Sequence, residues 1–250
     1  MKRKGYKGIH AIYLFFFVLF LWQGIALVID KSFFPPLSDI LLNIVMTFWG
    51  KIAAHAFYSL RRIMTGILLT LLAGVPLGIL MGYLKKVDFL FSPLLYFSYP
   101  VPKMALLPIV MLLFGLGETA KIVMIFLITF FPVVVNIRDD VKNIPQEVFY
   151  PVLSLGAGHF QIIKEIILPG VVPVALTSLR LGIGTAISVL FFTENFGTEY
   201  GLGYFIMDAW MRVNYIEMYS GIFILSMIGL ILFVAIDALE NILCPWRDDR

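Results

Sequence analysis

The chain has 250 residues, 60% of them hydrophobic and 14% charged, with a net charge of +3 and a mean hydropathy of +0.94. Soluble domains average about 45–50% apolar and about 25% charged residues, so a water-soluble globule is excluded. So small and scattered a charge also argues against nucleic acid, and the single cysteine, Cys244, excludes an internal disulfide framework and a multi-cysteine metal site.

Apolar runs of about 20 residues, the length that crosses a hydrocarbon layer of about 30 Å, recur along the chain. The segments of about 10 residues with alternating polarity that mark an outer-membrane barrel are absent. The pattern predicts an all-α polytopic membrane protein with about six transmembrane helices, at 9–29, 62–83, 89–116, 122–138, 171–193 and 219–243. They form a single transmembrane domain over residues 1–250, with a polar connection at about 145–169. No small-residue cleavage site follows the first run, which therefore reads as a retained span and not a signal peptide.

Residues 30–61 open with Phe33-Phe34-Pro35-Pro36, and an amphipathic stretch follows through Trp49. An interfacial helix is its most economical reading. In the second span, Gly66, Gly74, Gly78 and Gly82 recur, the last three spaced by four. Such spacing lets helix backbones approach closely where burial from water no longer drives association. The third span carries Pro93, Pro100, Pro102 and Pro108 and reads as broken. Its freed carbonyls must be satisfied by neighbouring helices or a wet cavity.

The fifth span holds Arg180 about nine residues in, roughly 14 Å deep at about 1.5 Å per residue. A charge there costs at least about 2.5–3.5 kcal/mol and should face the protein interior or water. It either lines a pathway and meets an anionic solute, or it bonds helix-end carbonyls or an acidic neighbour. Glu194, near the other end of that span, reads as a rim residue in water or a second path residue. Gly182 and Gly184 pack closely or loosen the helix for gating.

Basic residues set the orientation. Lys2, Arg3, Lys4, Lys7, Lys85, Lys86, Arg138, Lys142, Lys164, Arg247 and Arg250 put 11 charges on one side, against six for Lys31, Lys51, Arg61, Arg62, Lys121 and Arg212. The positive-inside rule places both termini and the 145–169 connection in the cytoplasm, with the Arg61-Arg62 pair running against the trend.

Chemistry of the chain's own is not in view. Gly115 to Lys121 is the nearest approach to a phosphate loop and lacks the second Gly-Lys-Ser/Thr. His10, His55 and His159 are scattered without carboxylates at ligand spacing, and no G-x-S-x-G elbow occurs. The expectation is no catalytic residue, no metal and no cofactor bound by this chain. If ATP drives it, another polypeptide binds the nucleotide.

The polar connection is the most telling stretch. Gly156-Ala157-Gly158 makes a sterically open turn. From Phe160 the spacing predicts a short helix with Phe160, Ile163 and Ile167 on one face and Ile166 beside them, ended by Pro169. An ordinary interfacial helix and a docking element for a motor protein both remain open on spacing alone.

Gly156-Ala157, followed after nine residues by Ile166-x-Leu168-Pro169, resembles the EAA loop of permease subunits in ATP-binding-cassette importers. Tyr99 to Pro108, Phe114 to Lys121, Ser178-Leu179-Arg180, Glu194 and Gly201-Leu202-Gly203-Tyr204 are similar to the nitrate/sulfonate/taurine-type branch. The resemblance implies a type I importer permease fold with a cytoplasmic coupling helix, in a bacterial or archaeal inner membrane. Gly156, Ala157, Phe160, Ile163, Ile166, Leu168 and Pro169 are then expected at the contact with the ATPase, and Arg180 and Glu194 on the translocation path. It also implies a homodimer, two cytoplasmic ATPase subunits that carry ATP and magnesium, and an extracytoplasmic solute-binding protein. The solute is expected to be nitrate, taurine or an alkanesulfonate, a similar anion, or a vitamin precursor. The acidic head of the family's loop is missing, because Tyr150, Pro151 and Val152 occupy its place; Glu147 lies one turn earlier. An ion-coupled secondary transporter is the alternative. It would show internal repeats and a buried acidic relay, neither of which is read within the spans.

Overall fold

The structure is a computed structural model that describes residues 3–29 and 31–247; Lys2, Asp30 and Arg250 lie outside the described residues. The helices are α1 (Arg3–Ile29), α2 (Leu37–Thr47), α3 (Ala53–Tyr83), α4 (Lys85–Ser98), α5 (Leu107–Phe114) and α6 (Glu118–Lys142). They continue with α7 (Tyr150–Ser154), α8 (His159–Ile162), α9 (Leu168–Thr193), α10 (Leu202–Met211) and α11 (Tyr215–Leu243). Among the described residues there is no strand.

Among the described residues, four continuous stretches are long and apolar enough to cross a membrane: Leu37–Tyr83, Glu118–Lys142, His159–Thr193 and Tyr215–Leu243. A fifth is broken, as its prolines predict: α4 and the Lys103–Phe114 segment meet at 88°. Two carbonyls at this break are satisfied from within the segment itself. The Lys103 ammonium folds back onto the carbonyl oxygens of Ser98 and Tyr99, 2.9 Å away in the second case. Among the described residues this makes four spans, or five with the broken pair, against the six expected; in α1 the apolar part, Phe16–Ile29, is shorter than a span.

The second span begins well before residue 62. α2 runs through a π-helical turn at Phe48–Ile52 directly into α3, giving 47 continuous helical residues. Residues 37–47 are therefore continuous with the helix of the second span and not a separate helix. The polar residues that lower hydropathy over 51–62 do not end the helix, because each has a partner elsewhere. Lys51 bonds Glu217 at 2.8 Å, His55 bonds the Gly201 backbone, and Ser59 and Arg62 bond Glu194.

α3, α6 and α9 make the central packing. The glycine spacing of α3 does what lipid requires of it. A Cβ on Gly78 would sit 2.8 Å from Ile137 Cβ, and Gly66, Gly74 and Gly82 face Ile125, Val133 and Val141 in the same register. A Thr70–Thr129 hydroxyl pair at 2.6 Å lies within this seam. Gly182 extends the packing onto Thr129, whereas Gly184 meets open space.

Helix direction gives the bundle two distinct ends. Tyr83, Asp88, Lys142 and His159 gather at one, where Tyr83 Oη lies 2.6 Å from His159 Nδ1 and Lys142 donates to Asp88 at 2.6 Å. Arg62, Glu118, Glu194 and Gly201 gather at the other.

Candidate functional site

At the Gly156 end, the short helix is not where spacing places it. It is α7, Tyr150–Ser154, entered through a 3-10 turn at Gln146–Val148. Pro151 falls in its first turn, where a missing N–H costs nothing. Its exit is a Schellman cap: the Gly156 N–H donates to Leu153 O at 2.9 Å, and the Ala157 N–H to Val152 O at 3.2 Å. Gly156 has φ +78°, a left-handed conformation that the missing Cβ makes inexpensive. Gly158 then starts the next helix, its N–H donating to Gln161 Oε1 at 2.9 Å.

The expected stop at Pro169 does not occur. Helix His159–Thr193 runs through a π-helical segment at Ile163–Ile167, and Pro169 sits in the first turn of α9. The wider π turn leaves carbonyls without close partners, which is how a proline is tolerated inside a continuous helix. Residues 160–167 are thus the first turns of the same continuous helix. Of the residues expected there, Gly156, Phe160 and Leu168 are exposed, Ala157 and Ile163 pack on the core, and Ile166 is buried. α7 and its cap contribute further exposed apolar groups, Tyr150, Leu153 and Leu155. Of these, Tyr150 stands where the family's acidic head was sought, and Leu153 and Leu155 follow it.

At the opposite end, Glu194 is fully buried at the C-terminus of α9. Its carboxylate accepts from Arg62 Nη1 at 2.6 Å, Ser59 Oγ at 2.8 Å and the Gly203 N–H at 2.7 Å. Arg62, also fully buried, donates further to Tyr200 O at 2.8 Å and reaches both oxygens of Glu118, the second through Nε at 3.0 Å. Gly203 is forced by this approach, since a Cβ would meet Phe191 O at 2.6 Å. Four elements are tied here: α3, the start of α6, the end of α9 and the start of α10. The partners of Glu194 were legible only as an anomaly. Arg61-Arg62 opposed the charge rule, and Glu118 lay in the sequence weighed as a phosphate loop.

Arg180 and Glu194 are not brought together; 14 residues of one helix separate them, about 21 Å. Arg180 instead bonds Asp237 and Glu240 of α11, with Phe233 beneath its guanidinium at 5.4 Å. The spans therefore do contain acidic groups, which their apolar surroundings hid from the sequence reading. Arg180 Nε is buried without a partner. On the outer face of the same helix, Gly184, Thr185 and Ser188 are exposed. Nearby on α6, the exposed Asn136 donates to Ser178 Oγ of α9 at 2.9 Å.

Comparison with known proteins agrees with this architecture. Residues 74–248 match the model of the family described as binding-protein-dependent transport system inner membrane component. The chain is 32% identical to the taurine transport system permease protein TauC of Escherichia coli, covering 93% of this chain and 87% of that one. It is also 32% identical to the formylaminopyrimidine transport permease protein ThiX of Halalkalibacterium halodurans, covering 99% of both. Identity to the putative aliphatic sulfonates transport permease protein SsuC of Bacillus subtilis is 30%, over 98% of this chain and 90% of that one. Among solved structures, an inward-facing conformation of the MetNI methionine ABC transporter superposes with a TM-score of 0.67 at 17% identity, over 77% of this chain and 95% of that one.

Proposed function

The chain belongs to the binding-protein-dependent transport system inner membrane components, and from that premise we propose how this importer permease works. Two copies pair in the inner membrane, with both termini and the Gly156 end in the cytoplasm. Two ATPase subunits, which hold the ATP and magnesium, grip that end. An extracytoplasmic solute-binding protein delivers the solute at the Glu194 end.

The observation that carries this reading is the construction of α7 and its cap. A short helix with exposed Tyr150, Leu153 and Leu155 is locked by the Gly156 turn to a continuous 35-residue helix. A push on α7 therefore reaches the middle of the membrane without an intervening flexible joint. Gly156, Ala157, Phe160, Ile163, Ile166, Leu168 and Pro169 belong to the coupling element in two ways. Gly156, Phe160 and Leu168 offer surface, while Ala157, Ile163, Ile166 and Pro169 fasten that surface to the span.

The path runs along the exposed α9 face, where Thr185 and Ser188 stand with Asn136 of α6. Thr185 and Ser188 donate to their own helix, at Leu181 O and Gly184 O, and Asn136 donates to Ser178; their remaining polar capacity gains nothing from lipid, and a second copy with a wet seam between the two gives it partners. Arg180 takes its place on that path through its unpartnered Nε and the half-exposed Asp237. Two carboxylates already face it, so its charge does not select an anion. Glu194 reaches the path only if the network around it opens during transport. The solute is a small polar molecule of the kind named for the relatives: taurine, an aliphatic sulfonate or a formylaminopyrimidine.

Reconstitution with the ATPase and binding protein tests the proposal: uptake into proteoliposomes should require all three and ATP. Uptake driven by an ion gradient, with the permease alone, overturns it in favour of a secondary transporter.

A further inference from the structure

A cleft of about 1160 Å³ opens at the Gly156 end between α4, the end of α6 and α7. Its lining has two characters. Lys85 and Lys142 bring positive charge to it, and Asp88 brings one negative charge. That carboxylate is already engaged: Lys142 donates to it at 2.6 Å, Ser92 at 3.0 Å, and Arg138 lies at 3.9 Å. Lys85 is exposed and bonds no carboxylate among the described residues. The other wall is aromatic, with Phe89 and Tyr96 of α4 exposed by 85% and 80%. That apolar surface continues beyond the cleft along α4 through Leu90, Leu94 and Phe97.

We propose that this cleft binds one anionic phospholipid, its phosphate at the Lys85 and Lys142 end and an acyl chain along Phe89 and Tyr96. The inference rests on the orientation given above, which puts this end at the cytoplasmic surface. Basic pockets between helices at that surface attract anionic head groups, each lysine near it contributing about fivefold in affinity. The charge alone would suit a free phosphate. The aromatic wall decides for a lipid, because it runs without interruption onto surface that faces acyl chains in any case. Tyr150 and Leu153 of α7 also line the cleft. A bound lipid therefore touches the helix proposed to take the push of the ATPase, and occupancy sets how firmly α7 is held.

The test uses the full chain, purified without ATPase and exchanged into nanodiscs containing equal phosphatidylglycerol and phosphatidylcholine. Native mass spectrometry after release from the discs should find phosphatidylglycerol retained over phosphatidylcholine, about one per chain. Lys85→Glu should lower that retention at least about fivefold. Lys31→Glu, the same charge change outside the cleft, should not. A photoactivatable phosphatidylglycerol should label peptides containing Tyr96 or Tyr150, and inorganic phosphate should fail to displace it. Equal retention of both lipids, unchanged retention in Lys85→Glu, label elsewhere, or displacement by phosphate each overturn the proposal. No ATPase is present, so failure here leaves the importer reading standing, and failed uptake with lipid retained leaves the lipid site standing.

Discussion

At one end of the bundle, a carboxylate with no exposed surface takes hydrogen bonds from a guanidinium, a hydroxyl and a backbone N–H. At the other, Leu155 and Phe160 stand 88% and 77% exposed, and the chain turns on a glycine at which an added Cβ would meet nothing within 4 Å. The Glu194 end spends its polar groups on one another and joins four elements. The Gly156 end leaves its apolar groups outward and spends its backbone hydrogen bonds on a rigid cap. The contrast separates a part that holds the bundle together from the part proposed to meet the ATPase. Substitutions at the first should read out as stability, and at the second as transport.

The largest expected effect is at Glu194. Glu194→Ala leaves Arg62 buried beside a single, partly exposed carboxylate, and breaking a buried pair in this way costs about 3–5 kcal/mol. Thermal unfolding in detergent should show the loss, and a variant as stable as the parent would end the structural account of this network. Next is the seam that joins the two ends. Gly78→Val drives a side chain into Ile137 and should cost about 1–3 kcal/mol by overpacking, visible in the same unfolding measurement.

Gly156→Val should cost about 1–2 kcal/mol, because its φ of +78° is strained for a side chain, while membrane insertion is retained. Its main effect is on coupling: ATP hydrolysis in the assembled complex should persist while uptake falls. Unchanged uptake would remove the cap from the coupling element. Smallest in stability is Phe160→Ala, expected within about 0.5 kcal/mol of the parent, since the ring is already in solvent. A decrease in ATP-driven uptake without a change in unfolding would sharpen the contrast; a large loss of stability would blur it.

Much of this was legible in the residues. The spans, the broken third element and the α3 glycine seam follow from hydropathy, proline chemistry and small-residue spacing, all of which act over a few turns of one helix. Boundaries were less legible. Hydropathy could not show that α2 and α3 are one helix, because the polar residues at its middle are satisfied by partners 130 or more residues away, such as Glu194 and Gly201. Pro169 likewise reads as a helix end until the π turn before it is seen.

By itself, then, the sequence determined that this is a helical membrane protein with a polar, glycine-turned connection at one face, since lipid imposes its demands segment by segment. Only the tertiary structure decided what the charges do. Arg62 changed from a cation at the start of a span to the centre of a buried network, Arg180 acquired two carboxylates from α11, and the short helix expected from Phe160 lies instead at Tyr150–Ser154. The physical reason is common to all three. A charge or a cap is defined by the group it meets, and here that group comes from a distant segment or from a turn geometry that composition does not display.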